Sequence, residues 1–131
     1  MGTDADETSR EQAHHVTDLL VEVDLAAALE ALRASDSYRA ADHAAKTITK
    51  QPGIRVVLIA LKPGGRMHEH HSEWAITVQG VHGHVEFKVA DRVVALTPGC
   101  LLTVAAGIPH QLTGIDESAV LLTIGGAHSP T

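Results

Sequence analysis

From Pro52 onward the chain is cut into short apolar runs by turn-forming residues: Pro52-Gly53, Pro63-Gly64-Gly65, the stretch from Gly80 to Gly83, Ala90-Asp91, Pro98-Gly99 and Gly107-Ile108-Pro109. Proline fixes φ and lacks an amide donor, and glycine reaches backbone angles that other residues avoid. Each such turn stops a strand and reverses the chain. Short strands at roughly eight-to-twelve-residue spacing read as a closed all-β sandwich or barrel. Ile54 to Leu61 is apolar apart from Arg55 and reads as a strand buried on both faces. Lys46 to Lys50 reads as a strand before it. Ala75 to Val81, His84 to Val89, Arg92 to Leu96, Cys100 to Ala105, His110 to Thr113 and Ala119 to Ile124 follow as further strands.

The N-terminal third reads differently. Residues 1–15 are polar and acidic and read as a mobile tail, with His14 and His15 a solvated pair. Val16 to Val23 reads as a first short strand. Asp24 is placed as a helix N-cap, and Leu25, Ala28, Leu29 and Leu32 form one buried helical stripe. The helix is expected to stop near Ser35-Asp36-Ser37. Residues 16–125 thus form a single domain with its core over 54–124, and 126–131 form a small polar tail.

Composition narrows the function classes. Aromatic residues make up 2% of the chain, so the core must be aliphatic, and a base-stacking nucleic-acid platform is excluded. A formal charge of −6 points the same way. No apolar run reaches the roughly 20 residues of a membrane span, and no basic-then-apolar signal opens the chain, so cytoplasmic residence is expected. Cys100 is the single cysteine and is read as an inert, buried thiol. No Gly-rich phosphate loop and no Ser or Cys nucleophile signature is present.

Chemistry-bearing residues concentrate in His68-Glu69-His70-His71-Ser72-Glu73, with His110 after its own Gly-x-Pro turn. Imidazole and carboxylate are the side chains that first-row metals favour. Alternation places His68 and His70 on one strand face and Glu69 and His71 on the other, unless a bulge re-aims His71. Trp74 reads equally as pocket lining or as packing at the barrel mouth. Arg39, Asp42 and His43 read as a surface network, and Gln79 as a cross-sheet contact.

Pro63-Gly64 … His70, Gly83, Pro98-Gly99 and Gly107-Ile108-Pro109-His110 resemble the two motifs of the cupins, small jelly-roll barrels also called double-stranded β-helices. The resemblance covers about Ile54 to Ile124. It implies an all-β cupin barrel carrying a short N-terminal helix. Counted from Gly64, the family's first metal-ligand position falls on His70, and the next, two residues on, on Ser72. With Gly83 as the closing glycine of the first motif, the glutamate position is Ile76; closing on Gly80 instead puts Glu73 there. The second motif keeps His110 and has Gly114 where the family usually has Asn. The resemblance then implies a site of His68, His70 and His110, completed by Glu73 or water, for a divalent transition metal: Fe(II), Zn, Mn, Ni or Cu. His82 is a lesser candidate.

For activity, the resemblance implies metal-dependent oxygenase, isomerase, epimerase or decarboxylase chemistry on a small organic acid or sugar, with Glu73 as ligand or general base. The competing reading is a non-enzymatic barrel that binds or senses a small molecule through an incomplete metal site. A purely structural dimer is the third. The apolar N-terminal strand and helix have to bury a face, so a homodimer is expected, with Val16 to Val23 crossing or covering the partner.

Overall fold

The computed structural model describes residues 19–126, with the backbone but not the side chain of His70. The expected tail over 1–15, the start of the expected first strand, and residues 127–131 lie outside the described residues.

Among the described residues two short helices precede nine strands: α1 (Leu25–Arg33), α2 (Asp36–Arg39), β1 (His43–Gln51), β2 (Ile54–Leu61), β3 (Arg66–His70), β4 (Ile76–His82), β5 (Val85–Val89), β6 (Arg92–Leu96), β7 (Leu101–Val104), β8 (His110–Gly114) and β9 (Ser118–Gly125). The strands form two facing antiparallel sheets, one in the order β1-β2-β9-β4-β7 and the other β3-β8-β5-β6. This is the two-sheet all-β arrangement that the turn spacing predicts, and the jelly roll that the cupin resemblance implies.

Strand β2 shows how the layers are made. Its inward residues Val57, Ile59 and Leu61 join Ile76, Val78, Val85, Phe87, Leu96, Val104, Leu112 and Val120 in the core between the sheets. Its outward residues Leu58 and Ala60 pack with Leu29, Leu32, Tyr38, Ala44 and Ala119 in a second core beneath the helices. Leu58 and Leu61 are both fully buried, so the strand is apolar on both faces from Val57 onward. Each such leucine contributes about 1.5–3 kcal/mol.

The helix is capped as the sequence indicates. The Asp24 carboxylate accepts the Ala27 amide at 3.2 Å, and Leu29 and Leu32 are the residues α1 buries. Its end differs slightly. α1 stops at Arg33, and Ser35 caps the single turn of α2, accepting from the Tyr38 amide at 3.3 Å and donating to the Leu32 carbonyl at 2.7 Å.

The expected strand over Val16 to Val23 is corrected in its described part. Leu19 to Val23 carries no strand, and Leu19 and Leu20 are 97% and 86% exposed. A strand needs a ladder partner. Among the described residues β1 pairs with β2 and with no other strand, so nothing extends the sheet past that edge.

Gly80 lies inside β4, where a Cβ would sit 2.2 Å from the Thr97 carbonyl oxygen; the missing side chain lets the β6–β7 turn close onto the sheet. Gly83, at φ +69°, makes the turn from β4 to β5. No helix among the described residues is long and apolar enough to cross a membrane.

Candidate functional site

The two sheets enclose a cavity of about 760 Å³. Its wall is largely aliphatic, from Val57, Ile59, Met67, Ile76, Val78, Leu112, Leu122 and Ile124, with Phe87 among them. Cross-strand registers stack these residues in rows. Val57 lies opposite Leu122 and Leu122 opposite Val78 on one sheet. On the other, Met67 faces Leu112 and Leu112 faces Phe87. The polar lining is His71, Ser72 and Glu73 from the β3–β4 loop and Lys50, Gln51 and Arg55 from the β1–β2 hairpin, at the more exposed mouth, with His110 from β8 buried within.

His110 is the buried polar residue of the cavity, at 2% exposure. Its ring stacks on Phe87 at 5.4 Å between centroids and 15° between planes. Its Nδ1 lies 3.0 Å from the Ile108 carbonyl oxygen. A carbonyl only accepts, so Nδ1 carries a proton and donates it to Ile108. The Gly107-Ile108-Pro109 turn therefore sets the position of the histidine that follows it and keeps a proton on its Nδ1.

That turn is also tied to the histidine-rich loop. The Gly107 amide donates to the Ser72 carbonyl at 2.8 Å, and the Trp74 amide donates to Ser72 Oγ at 3.0 Å. Trp74 lines the cavity, and a Cβ on Gly126 would come within 3.0 Å of its ring.

Of the residues expected to form a site, His110 and Glu73 line the cavity. His68 is exposed and lies outside that lining. The reason is a bulge. Met67 pairs with Leu112 and His70 with His110, so β3 spends one residue more than β8 between these pairs. Met67 takes the inward face before the bulge, which sends its neighbour His68 outward. His70 stands opposite His110 in backbone register. His71, expected on the outward face unless a bulge re-aimed it, lines the cavity. Ile76, the glutamate position under the Gly83 closure, is an inward-facing hydrocarbon at 2% exposure.

Among the described residues no group of three or more His, Cys, Asp or Glu side chains could hold a metal ion. The His70 side chain is not among these donors, and without it the described ones do not make up the three protein ligands of a catalytic zinc site.

The hairpin residues Lys50 and Arg55 are the part of the mouth that the sequence reading did not single out. Arg55 had a signal: it is the lone charge in an aliphatic strand and shares parity with Val57 and Ile59. Lys50 had none, because its face depends on a second bulge, between Thr47 and Thr49.

Outside the cavity, Arg33 Nη2 meets His82 Nδ1 at 3.0 Å and Arg33 Nε stands 3.7 Å from Glu117. These contacts fasten α1 to the sheet and leave His82 away from the cavity. Asp42 accepts from His43 Nδ1 at 2.8 Å and from the Arg66 amide at 3.2 Å. The His43 contact first, and the Arg66 amide second, hold the Asp42 carboxyl below its ordinary value.

Comparison with known proteins places the fold. Residues 57–125, more than half of the chain, match the family model for the cupin domain. No curated protein sequence matches. Among solved structures, an RmlC-like cupin protein from Desulfovibrio desulfuricans aligns with a TM-score of 0.62 at 20% identity, covering 86% of this chain and 97% of that one. A cupin-2 domain-containing protein from Shewanella frigidimarina aligns with a TM-score of 0.64 at 10% identity, covering 79% and 94%. Salicylate 1,2-dioxygenase from Pseudoaminobacter salicylatoxidans, solved as adducts with gentisate, aligns with a TM-score of 0.61 at 15% identity over 64% of this chain but 25% of its own. Likeness at these identities speaks for the fold alone. The matched family model, the two-sheet topology and the turn motifs agree: the chain belongs to the cupin domain family.

Proposed function

We propose that this cupin binds a small organic molecule inside its barrel. The observation that carries the reading is a cavity of about 760 Å³ with an aliphatic wall and one buried, oriented imidazole. That size lies within the roughly 300–1,000 Å³ of small-molecule sites, which are mostly apolar with a few convergent polar groups. The wall desolvates the ligand's apolar body. His110 supplies a polar contact of fixed orientation, and His71 and Glu73 meet the ligand at the mouth. Cytoplasmic residence belongs to this proposal.

Trp74 is the chain's sole tryptophan and lines the cavity, so its emission reports occupancy. Hexanoate and its neutral isostere hexanamide are suitable probes. The expected result is a saturable change that weakens when Leu122→Phe fills part of the cavity. No saturable change with either probe contradicts the reading.

A second reading is supported by the backbone register of His70 opposite His110. Here His70 and His110 would hold a divalent transition metal (Fe, Zn, Mn, Ni or Cu), with Glu73 or His71 adding a donor from the loop. His68 would have to cross to the other strand face to take part. A bound metal of this kind polarises carbonyls or activates oxygen, which is the chemistry of a cupin oxygenase or isomerase. Elemental analysis of the untagged protein tests it. Near-stoichiometric metal that is lost in both His70→Ala and His110→Ala supports the metal centre. Protein that stays metal-free after incubation with each of the five metals leaves the ligand-binding reading alone.

The partner proposed for the apolar residues ahead of α1 is a second copy of this chain. Leu19 and Leu20 are nearly fully exposed there, and strand β1 is the edge of its sheet.

A further inference from the structure

At the cavity mouth, Lys50 on β1 and Arg55 on β2 are direct cross-strand partners, and both line the cavity. Like charges placed directly opposite destabilise a strand pair. The chain has only 10 basic residues against 16 acidic ones, and it sets two of them face to face.

The backbone is shaped to do this. Ala45, opposite Ile59, lines the cavity, and Thr47 lies opposite Val57, so odd-numbered residues of β1 face inward along this part. The bulge between Thr47 and Thr49 adds Ile48, which packs into the outer core beneath the helices. After it the parity is reversed, and Lys50 comes onto the same face as Arg55, Val57 and Ile59. Without the extra residue Lys50 would point to the helix side.

Among the described residues the ion pairs are elsewhere, at Arg33–Glu117 and His43–Asp42. Glu73, the carboxylate in the cavity lining, pairs with neither cation. Next to Arg55 the row across the sheet turns apolar at once, through Ile124 and then Ile76.

We infer that Lys50 and Arg55 form an anion subsite, and that the molecule the barrel takes is an organic carboxylate. Its charged head sits between the two cations, and its apolar body lies over Val57, Leu122, Ile124 and Phe87. Arginine offers a carboxylate two parallel donors, and lysine adds a point charge from the neighbouring strand. The inference rests on the ligand-binding reading above and names the chemistry of the ligand.

Ligand-observed NMR titrations of hexanoate against hexanamide, and of benzoate against benzamide, test it with the full chain. In the wild type the carboxylates are expected to bind about tenfold more tightly than their amides, with the difference shrinking as ionic strength rises. Lys50→Gln and Arg55→Gln are expected to abolish most of that preference while leaving amide affinity within about twofold. Thermal unfolding separates this from a structural role: relieving the like-charge pair leaves Tm unchanged or raised, whereas a loss of fold lowers it. Equal affinity for acid and amide in the wild type overturns the subsite while the cavity stands. So does a preference that survives both substitutions. Binding of neither acid nor amide overturns the ligand-binding reading, and the subsite with it.

Discussion

His110 owes its place to three neighbours: the Ile108 carbonyl on one side, the Phe87 ring on its face, and the strand β8 that it opens. Phe87 is 1% exposed and touches both the imidazole and the aliphatic rows. Phe87→Ala is expected to destabilise the protein by about 3–5 kcal/mol, measured by urea unfolding, because it removes a large buried ring and leaves a cavity. Phe87→Leu should lose clearly less. The placement of His110 was legible from Gly107-Ile108-Pro109-His110, since a rigid turn before a strand sets where its first residue stands. The facing of His68 and His71 was not. Alternation predicts faces only in an unbroken ladder, and the extra residue in β3 breaks it after Met67. Ile76 was legible as a departure from the family pattern, and the structure makes that departure physical: a hydrocarbon faces inward there.

At the scale of elements, the strands were legible because turn residues bound short apolar runs at regular spacing from Ile54 to Ile124. The stretch Val16 to Val23 has the composition of a strand, but its described part finds no partner, and ladder pairing is a tertiary property that sequence alone does not display. α1 was legible in its cap and in Leu29 and Leu32 of its stripe, while Leu25 and Ala28 are only half-buried. Asp24→Ala is expected to cost about 1 kcal/mol, read as a lower urea midpoint at unchanged slope. Gly80→Ala should cost more, about 1–3 kcal/mol, since its methyl would meet backbone 2.2 Å away that cannot rotate aside.

The helix side also carries a pH dependence. Tyr38 donates to Glu117 Oε2 at 3.4 Å beneath the ammonium of Lys62, which lies 5.1 Å from the ring centroid. Burial first, and the Glu117 charge second, push the Tyr38 phenol above its ordinary value of 10.0. The folded state thus holds the phenolic proton more tightly than the unfolded chain does. Its contribution to stability is complete below the ordinary value and is lost as pH rises through the raised one. Stability of the wild type is therefore expected to fall more steeply above pH ~10 than that of Tyr38→Phe, in urea titrations run side by side.

For the whole molecule, two cores share one sheet. The inner core encloses the cavity, and the outer core under α1 and α2 anchors that sheet from behind. The arrangement puts the proposed ligand site on the inner face and leaves Leu19, Leu20 and the β1 edge outside both cores. Sedimentation velocity at micromolar concentration should show a dimer, shifted toward monomer by Leu19→Ser with Leu20→Ser. A monomeric wild type would contradict the proposed pairing.

The central claim is that the space between the sheets is a ligand site. Methyl-resolved NMR during a hexanoate titration tests it most directly. The predicted result is a set of saturating shifts at Val57, Val78, Leu112, Leu122 and Ile124, with Leu29, Leu32 and Leu58 on the helix side unmoved. Shifts confined to the helix side, or none at any of these methyls, would contradict it.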